Sequence, residues 1–206
     1  YALAGKKFNK EDKELLGNPF AQFIKGTAEI RYNYALGHKQ YLVGRLMAGA
    51  IYSYGNARTS PYNEQFYIGG AFTIRSIGPG RYYQNSDNNK YAYIDRTGDL
   101  KFEANLEYRF PILGDLHGAT FLDSGNIWLI RNDPDRPGGQ LKWGSFLKDL
   151  ALGTGFGLRY DLTFIVIRFD VGIGLHLPYD TGKKGYYNIP KFKDGMGYHF
   201  AIGYPF

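Results

Sequence analysis

The chain has 206 residues, no cysteine, a net charge of +6 and a pI near 9.3. That length allows one domain with a real core, or part of a larger one, and the lack of cysteine excludes a disulfide framework and a thiolate metal site. The charge names no partner, but 19 Tyr, 15 Phe and 28 Gly at a mean hydropathy of -0.38 describe a chain that is aromatic and polar at once.

No apolar run reaches the roughly 18 residues of a membrane helix. A chain that opens on Tyr1 with no visible signal peptide reads as a processed form or a fragment. Period-two alternation dominates instead, and it predicts seven strands. The first, 21–37, sets Ala28, Ile30, Tyr32, Tyr34 and Leu36 against Thr27, Glu29, Arg31 and Asn33. The second, 40–54, sets Leu42, Leu46, Ala48, Ala50 and Tyr52 against Arg45, Met47 and Gly49. The third, 99–110, alternates most cleanly: Leu100, Phe102, Ala104, Leu106, Tyr108 and Phe110 on one face, Lys101, Glu103, Asn105, Glu107 and Arg109 on the other. Strands at 115–130 and 150–161 alternate less cleanly. The strand at 163–177 sets Ile165, Ile167, Phe169, Val171, Ile173 and Leu175 against Arg168, Asp170, Gly172 and Gly174, and the last runs 196–206. A stub at 1–4 reads as the end of an eighth. All run long, about 11–17 residues against a usual mode of about five or six.

Short connections after 37, 110 and 161 alternate with long ones at 5–19, 55–98, 131–149 and 178–195. Short turns at one end and long loops at the other are the layout of an outer-membrane barrel. The predicted fold class is all-β, an antiparallel transmembrane β-barrel. Tyrosines cluster towards strand ends on the apolar face, where a membrane interface suits an apolar ring with a polar hydroxyl. The opposite face carries Glu29, Arg31, Arg45, Glu103, Glu107, Arg109, Arg159, Arg168 and Asp170 diluted by glycine, which suits a lumen that pairs its charges. A soluble lipocalin-like barrel would reverse the two faces, and alternation alone leaves that reading open.

One loop stretch raises its own question. "GGAFTIRSIGPG", 69–80, holds the lone Arg75 among small and apolar residues. A guanidinium that stays charged everywhere offers a planar fork of donors to carboxylates. Acids on neighbouring strands facing a lumen would give it a socket. The plain alternative puts Arg75 on the loop surface and pairs Glu107 with Arg109 or another charge on the wall.

Four further segments follow in order: "NLEYRFPI" from Asn105, "GATFLDSGNIW" from Gly118, "GTGFGLRYD" from Gly153 and "IRFDVGIGL" from Ile167. Together with the arginine loop, they resemble the C-terminal half of the BamA/TamA-type outer-membrane assembly superfamily, which includes the two-partner secretion transporters. The resemblance covers about 66–206 by motif and the rest by strand pattern. It implies a barrel of about sixteen strands, of which this chain supplies about eight, as a single β-barrel domain over 1–206. It implies that the long connection 55–98 is the family's sixth extracellular loop, folded back into the lumen. The loop motif is Gly69, Gly70, Ile74, Arg75, Ser76 and Ile77, with Ser76 and Ile77 standing where the family has glycine and an aromatic. The implied acidic socket is Glu107 and Asp123, and the lumen charges are Arg109, Arg159, Arg168 and Asp170. "MGYHFAIGYPF" resembles the terminal signal of such barrels, with Phe200, Ile202, Tyr204 and Phe206 on the apolar face.

Neither the residues nor the resemblance suggests an enzyme. His38, His117, His176 and His199 lack ligand spacing. "GTGFG" lacks the strand-turn-helix setting of a phosphate loop. No nucleophile constellation appears, and the aromatics follow the apolar face, away from any stacking role on nucleic acid. The chain is therefore expected to need no cofactor or metal, to bind no nucleic acid and to lie in the bacterial outer membrane. The resemblance implies an insertase or translocase that assembles outer-membrane proteins through a lateral seam and a lumenal loop. Its expected partners are outer-membrane lipid, unfolded outer-membrane protein clients, and periplasmic domains or accessory subunits outside this chain. A two-partner secretion channel and a purely structural barrel stay open beside it. Lysines at Lys6, Lys7, Lys10 and Lys13, and at Lys183, Lys184, Lys191 and Lys193, read either as solvated loops or as contacts to lipopolysaccharide phosphates.

Overall fold

The computed structural model describes residues 12–69, 74–75, 97–134 and 138–206. Two short strands, β1 (Glu14–Leu15) and β2 (Asn18–Pro19), form a small hairpin of their own. The other strands are β3 (Gln22–Gly37), β4 (Gln40–Tyr54), β5 (Leu100–Leu113), β6 (Leu116–Trp128), β7 (Ala151–Asp161), β8 (Val166–His176) and β9 (Met196–Ile202). They form one antiparallel sheet in sequence order, each strand paired with the next. The expected stub at 1–4 lies outside the described residues.

The sheet is open. β9 pairs with β8 through Phe200↔Phe169 and Ile202↔Ile167, and among the described residues neither it nor β3 has a partner on its other side. The edges differ: β3 offers 16 residues and β9 seven.

Alternation decides which face packs. Leu46, Leu106, Leu122, Phe156, Phe169 and Phe200 stand exposed on the outer face. Glu103, Glu107, Asp123, Arg159, Arg168 and Asp170 are fully buried on the other. Charges inside and large apolar groups outside are the opposite of a soluble barrel and match a strand face that meets hydrocarbon.

The inner face is not uniform. Towards the long connections it is apolar, because the segment after β4 returns across it. Phe66 and Ile68 from that segment pack with Ile74 on Ile51 of β4, Ile127 of β6 and Ala151 of β7. Phe66 also pairs with Gly98 as an isolated bridge, at 2.9 and 2.8 Å in the two directions. The charged zone begins below this plug.

Several strand boundaries correct the sequence reading: β5 runs on to Leu113, past the predicted end at 110, and β8 begins at Val166, after the predicted start at 163. The last strand ends at Ile202, not at Phe206. Gly203 adopts a left-handed φ of 90 and Pro205 has no N–H to give a ladder, so the chain turns out of the sheet. Tyr204 and Phe206 leave the outer face and meet Arg109, whose guanidinium carbon lies 4.3 Å from the Tyr204 ring centre. Arg109 Nη2 donates to the Phe206 main-chain oxygen at 3.2 Å. Phe200 and Ile202 remain on the outer face, 72% and 60% exposed.

Candidate functional site

The site is built where the connection between β4 and β5 touches the charged zone. Arg75 and Ile74 are both fully buried there. Ile74 anchors in the apolar plug, which sets Arg75 one residue further along, over the carboxylates. Gly69, at the start of the loop motif, is buried with φ 111, a conformation open chiefly to glycine. Gly70, Ser76 and Ile77 lie outside the described residues.

The guanidinium meets acids from three strands. Arg75 Nε and Nη2 donate to the two oxygens of Asp123 at 2.8 and 3.0 Å, a two-pronged contact with β6. Nη1 donates to Glu107 Oε2 of β5 at 2.5 Å and lies 3.6 Å from Asp170 Oδ2 of β8. The Arg75 main-chain N–H adds a fourth bond, to Asp123 Oδ2 at 3.2 Å. Burial alone would lower the Arg75 pKa, but hydrogen bonding and charge from Asp123, with the charge of Glu107, outweigh it and hold the group above its ordinary value. The guanidinium therefore stays a cation inside the wall.

The acids are themselves shared. Glu107 accepts from Arg109 Nε at 2.7 Å and from Arg159 Nη2 at 3.0 Å. Arg159 Nη1 reaches Asp170 Oδ1 at 2.6 Å, and Arg168 Nη1 lies 3.2 Å from the other oxygen of Asp170. Both alternatives for Glu107 are thus realised together: it serves the loop arginine and its neighbours on the wall. Such a buried array fixes geometry more than it adds net stability, since every ion in it has lost its water.

Five contributors carry no obvious mark in the sequence. Phe121 lies flat under Arg75, with the guanidinium carbon 3.3 Å from its ring centre. Its inward position on β6 follows from the same alternation as Asp123, but an inward aromatic could have been a packing residue. Asn105 Nδ2 donates to Asp123 Oδ1 at 3.0 Å, filling the lone pair the arginine leaves. His199 Nε2 lies 2.6 Å from the Arg75 carbonyl, so with the proton on Nε2 it ties the loop to β9. Gly197 completes the contact, because a side chain there would overlap that same carbonyl oxygen. Likewise Gly155 of "GTGFG" gives the Phe121 ring its space.

The two lysine groups differ. Lys6, Lys7 and Lys10 lie outside the described residues, and Lys13 is buried rather than displayed. Its main chain pairs with Asn56, which holds the segment against the barrel rim. Lys183, Lys184, Lys191 and Lys193 are exposed, with Lys183 Nζ 4.1 Å from the Tyr187 ring centre.

A strand sheet with charges inside, an apolar face outside and a loop arginine sunk into acids of the wall is a specific combination. A family model described as the Omp85 superfamily domain matches residues 12–206. The chain belongs to the Omp85 superfamily. A crystal structure of BamA from Haemophilus ducreyi lacking POTRA domains 1–3 shares the fold, with a TM-score of 0.59 and 15% identity. The match covers 88% of this chain and 35% of that one, so the chain spans about a third of the length of that relative. A comparison with curated proteins gave no match. Superfamily membership places this chain in the bacterial outer membrane.

Proposed function

We propose that this Omp85 barrel segment serves in an insertase that brings unfolded outer-membrane proteins into the bilayer without covalent chemistry. The observation that supports this most is the single residue Arg75, whose side chain binds β5, β6 and β8 while its carbonyl meets β9. A loop held this way is a brace with two states. Docked, it ties the inner wall to the last strand. Released, it frees that strand to move.

The two sheet edges then take different roles. An unpaired strand edge is a template for another strand. A 16-residue edge such as that of β3 favours a long permanent pairing, whereas the seven residues of β9 form a short ladder that ends at Gly203. In hydrocarbon each unmade backbone bond costs several kcal/mol, so the long edge is costly to open, and the short edge, with fewer bonds to break, is where the wall opens most readily to an incoming strand. The lateral seam belongs at β9, under control of the Arg75 brace. Clients would pair there strand by strand, and the periplasmic domains of the full-length protein would deliver them.

The test is insertion of a client barrel by the full-length protein in proteoliposomes, followed by the heat-resistant folded band. Gly197→Val should push the Arg75 carbonyl off β9 and change the insertion rate severalfold while the barrel itself stays folded. A wild-type rate with the loop demonstrably off β9, seen as faster limited proteolysis of the loop in the same variant, would refute the brace.

A further inference from the structure

The outer face carries a feature that the inner site does not explain. Between β6 and β7 the chain does not stand away as a free loop. Residues 141–149 fold down over the outside of the sheet at its long-loop end and cover Trp128 and Asn126, which face outward yet are 2% and 1% exposed. The segment is fixed in place. Asn126 Nδ2 donates to the Asp149 carbonyl at 2.5 Å, and Ser145 Oγ donates to Asp149 Oδ2 at 2.7 Å. Phe146 is its anchor, stacked on Trp128 at 5.3 Å and edge-on to Phe102 at 5.5 Å.

This rigid segment displays apolar groups. Trp143 is 82% and Leu147 74% exposed, although Trp143 lies only 6.2 Å from the anchoring Phe146. Lys142 and Lys148 flank them and are exposed too. Beside Trp143 runs a groove of about 670 Å³, floored by the small outward residues Gly26, Ala28, Ala48 and Ala50. Ala48 lies opposite Phe102 and Ala50 opposite Leu100, so the floor is continuous with the lipid-facing band of β5. A patch of this kind marks an interaction surface. A tryptophan and a leucine between two lysines form an interfacial pattern, with rings and alkyl groups below the phosphates and ammonium groups level with them.

We propose that residues Lys142–Lys148 are an outer-leaflet membrane anchor. Trp143 and Leu147 enter the bilayer, an acyl chain of an adjoining lipid lies in the small-residue groove, and Lys142 and Lys148 meet lipid phosphates. The occupant is lipid because the groove continues the hydrocarbon-facing surface and the flanking charge is positive on both sides. This anchor depends on the outer-membrane placement of the family and is independent of what the seam does.

This barrel segment lacks cysteine, so each label is placed against the unlabelled parent protein as background. Cysteines replacing Trp143, Leu147 and, as a loop control, Tyr187 would be placed one at a time in the full-length protein and coupled to bimane. Each would be reconstituted in phosphatidylcholine with and without brominated acyl chains. Folding is checked by heat-modifiable migration. Emission at 143 and 147 should fall severalfold with brominated lipid and resist aqueous iodide, whereas 187 should do the reverse. Reversing both charges, Lys142→Glu with Lys148→Glu, should weaken the lipid quenching at 147. Iodide quenching at 143 and 147 would overturn the anchor. Shielding from both quenchers would overturn it as well, by showing that protein covers the face. Unchanged quenching after charge reversal would overturn the phosphate contact.

Discussion

Replacing Arg75 with alanine removes one cation from a cluster in which its partners are unequally dependent on it. Glu107 keeps Arg109 at 2.7 Å and Arg159 at 3.0 Å, and Asp170 keeps Arg159 at 2.6 Å. Asp123 is different. Its cationic contact is Arg75 itself, and what stays is the Asn105 amide at 3.0 Å and one main-chain N–H at 3.2 Å. Arg75→Ala therefore strands one buried carboxylate, at a cost of about 3–5 kcal/mol, limited by the ease with which the loop undocks and admits water. The second change Asp123→Asn should recover about 1–3 kcal/mol of that loss, because an amide in the same place carries no orphan charge. Glu107→Gln in the Arg75→Ala background should recover nothing, since Glu107 would still have two arginines that need it. The assay is urea unfolding of the full-length protein in bilayers, read by tryptophan emission, with limited proteolysis of the loop as a measure of docking. If Asp123→Asn and Glu107→Gln rescue Arg75→Ala equally, the assignment of Asp123 as the dependent partner is wrong.

Other substitutions probe separate parts of the design. Leu106→Lys, at a mid-strand position on the outer face, should cost about 2–4 kcal/mol in the same unfolding assay, and a neutral result would contradict the orientation of the sheet. Phe121→Leu keeps an apolar group but removes the ring 3.3 Å beneath the guanidinium. It should lower stability by about 2 kcal/mol in the wild type and by clearly less once Arg75 is alanine. Gly155→Ala sets a methyl against the Val171 carbonyl and the Phe121 ring. A loss of about 1–3 kcal/mol is expected, measured as a lower urea midpoint with unchanged slope.

Alternation was enough to reveal the strands and the division into a charged and an apolar face, because a period of two is a property of the backbone pleat and needs no tertiary contact. Glu103, Glu107 and Arg109 could be put on one face from "LKFEANLEYRF" alone. A lone arginine amid glycines, with acids on later strands, also pointed to a pairing, since a buried guanidinium has few partners to choose from. The folded sheet was needed for everything that joins distant strands. Ile51 and Ile127 sit on the charged face yet are apolar, because the returning loop covers that end of it with Phe66 and Ile68. Phe121, Asn105 and His199 converge on Arg75 only through the register of β5, β6 and β9 relative to the loop. Tyr204 and Phe206 continue the alternation of β9 in sequence, but Gly203 and Pro205 end the ladder and Arg109 draws them inward. The sequence pattern records which side of a strand a residue occupies. Which residue from another strand, or from a loop, stands opposite is set by closure of the chain in space.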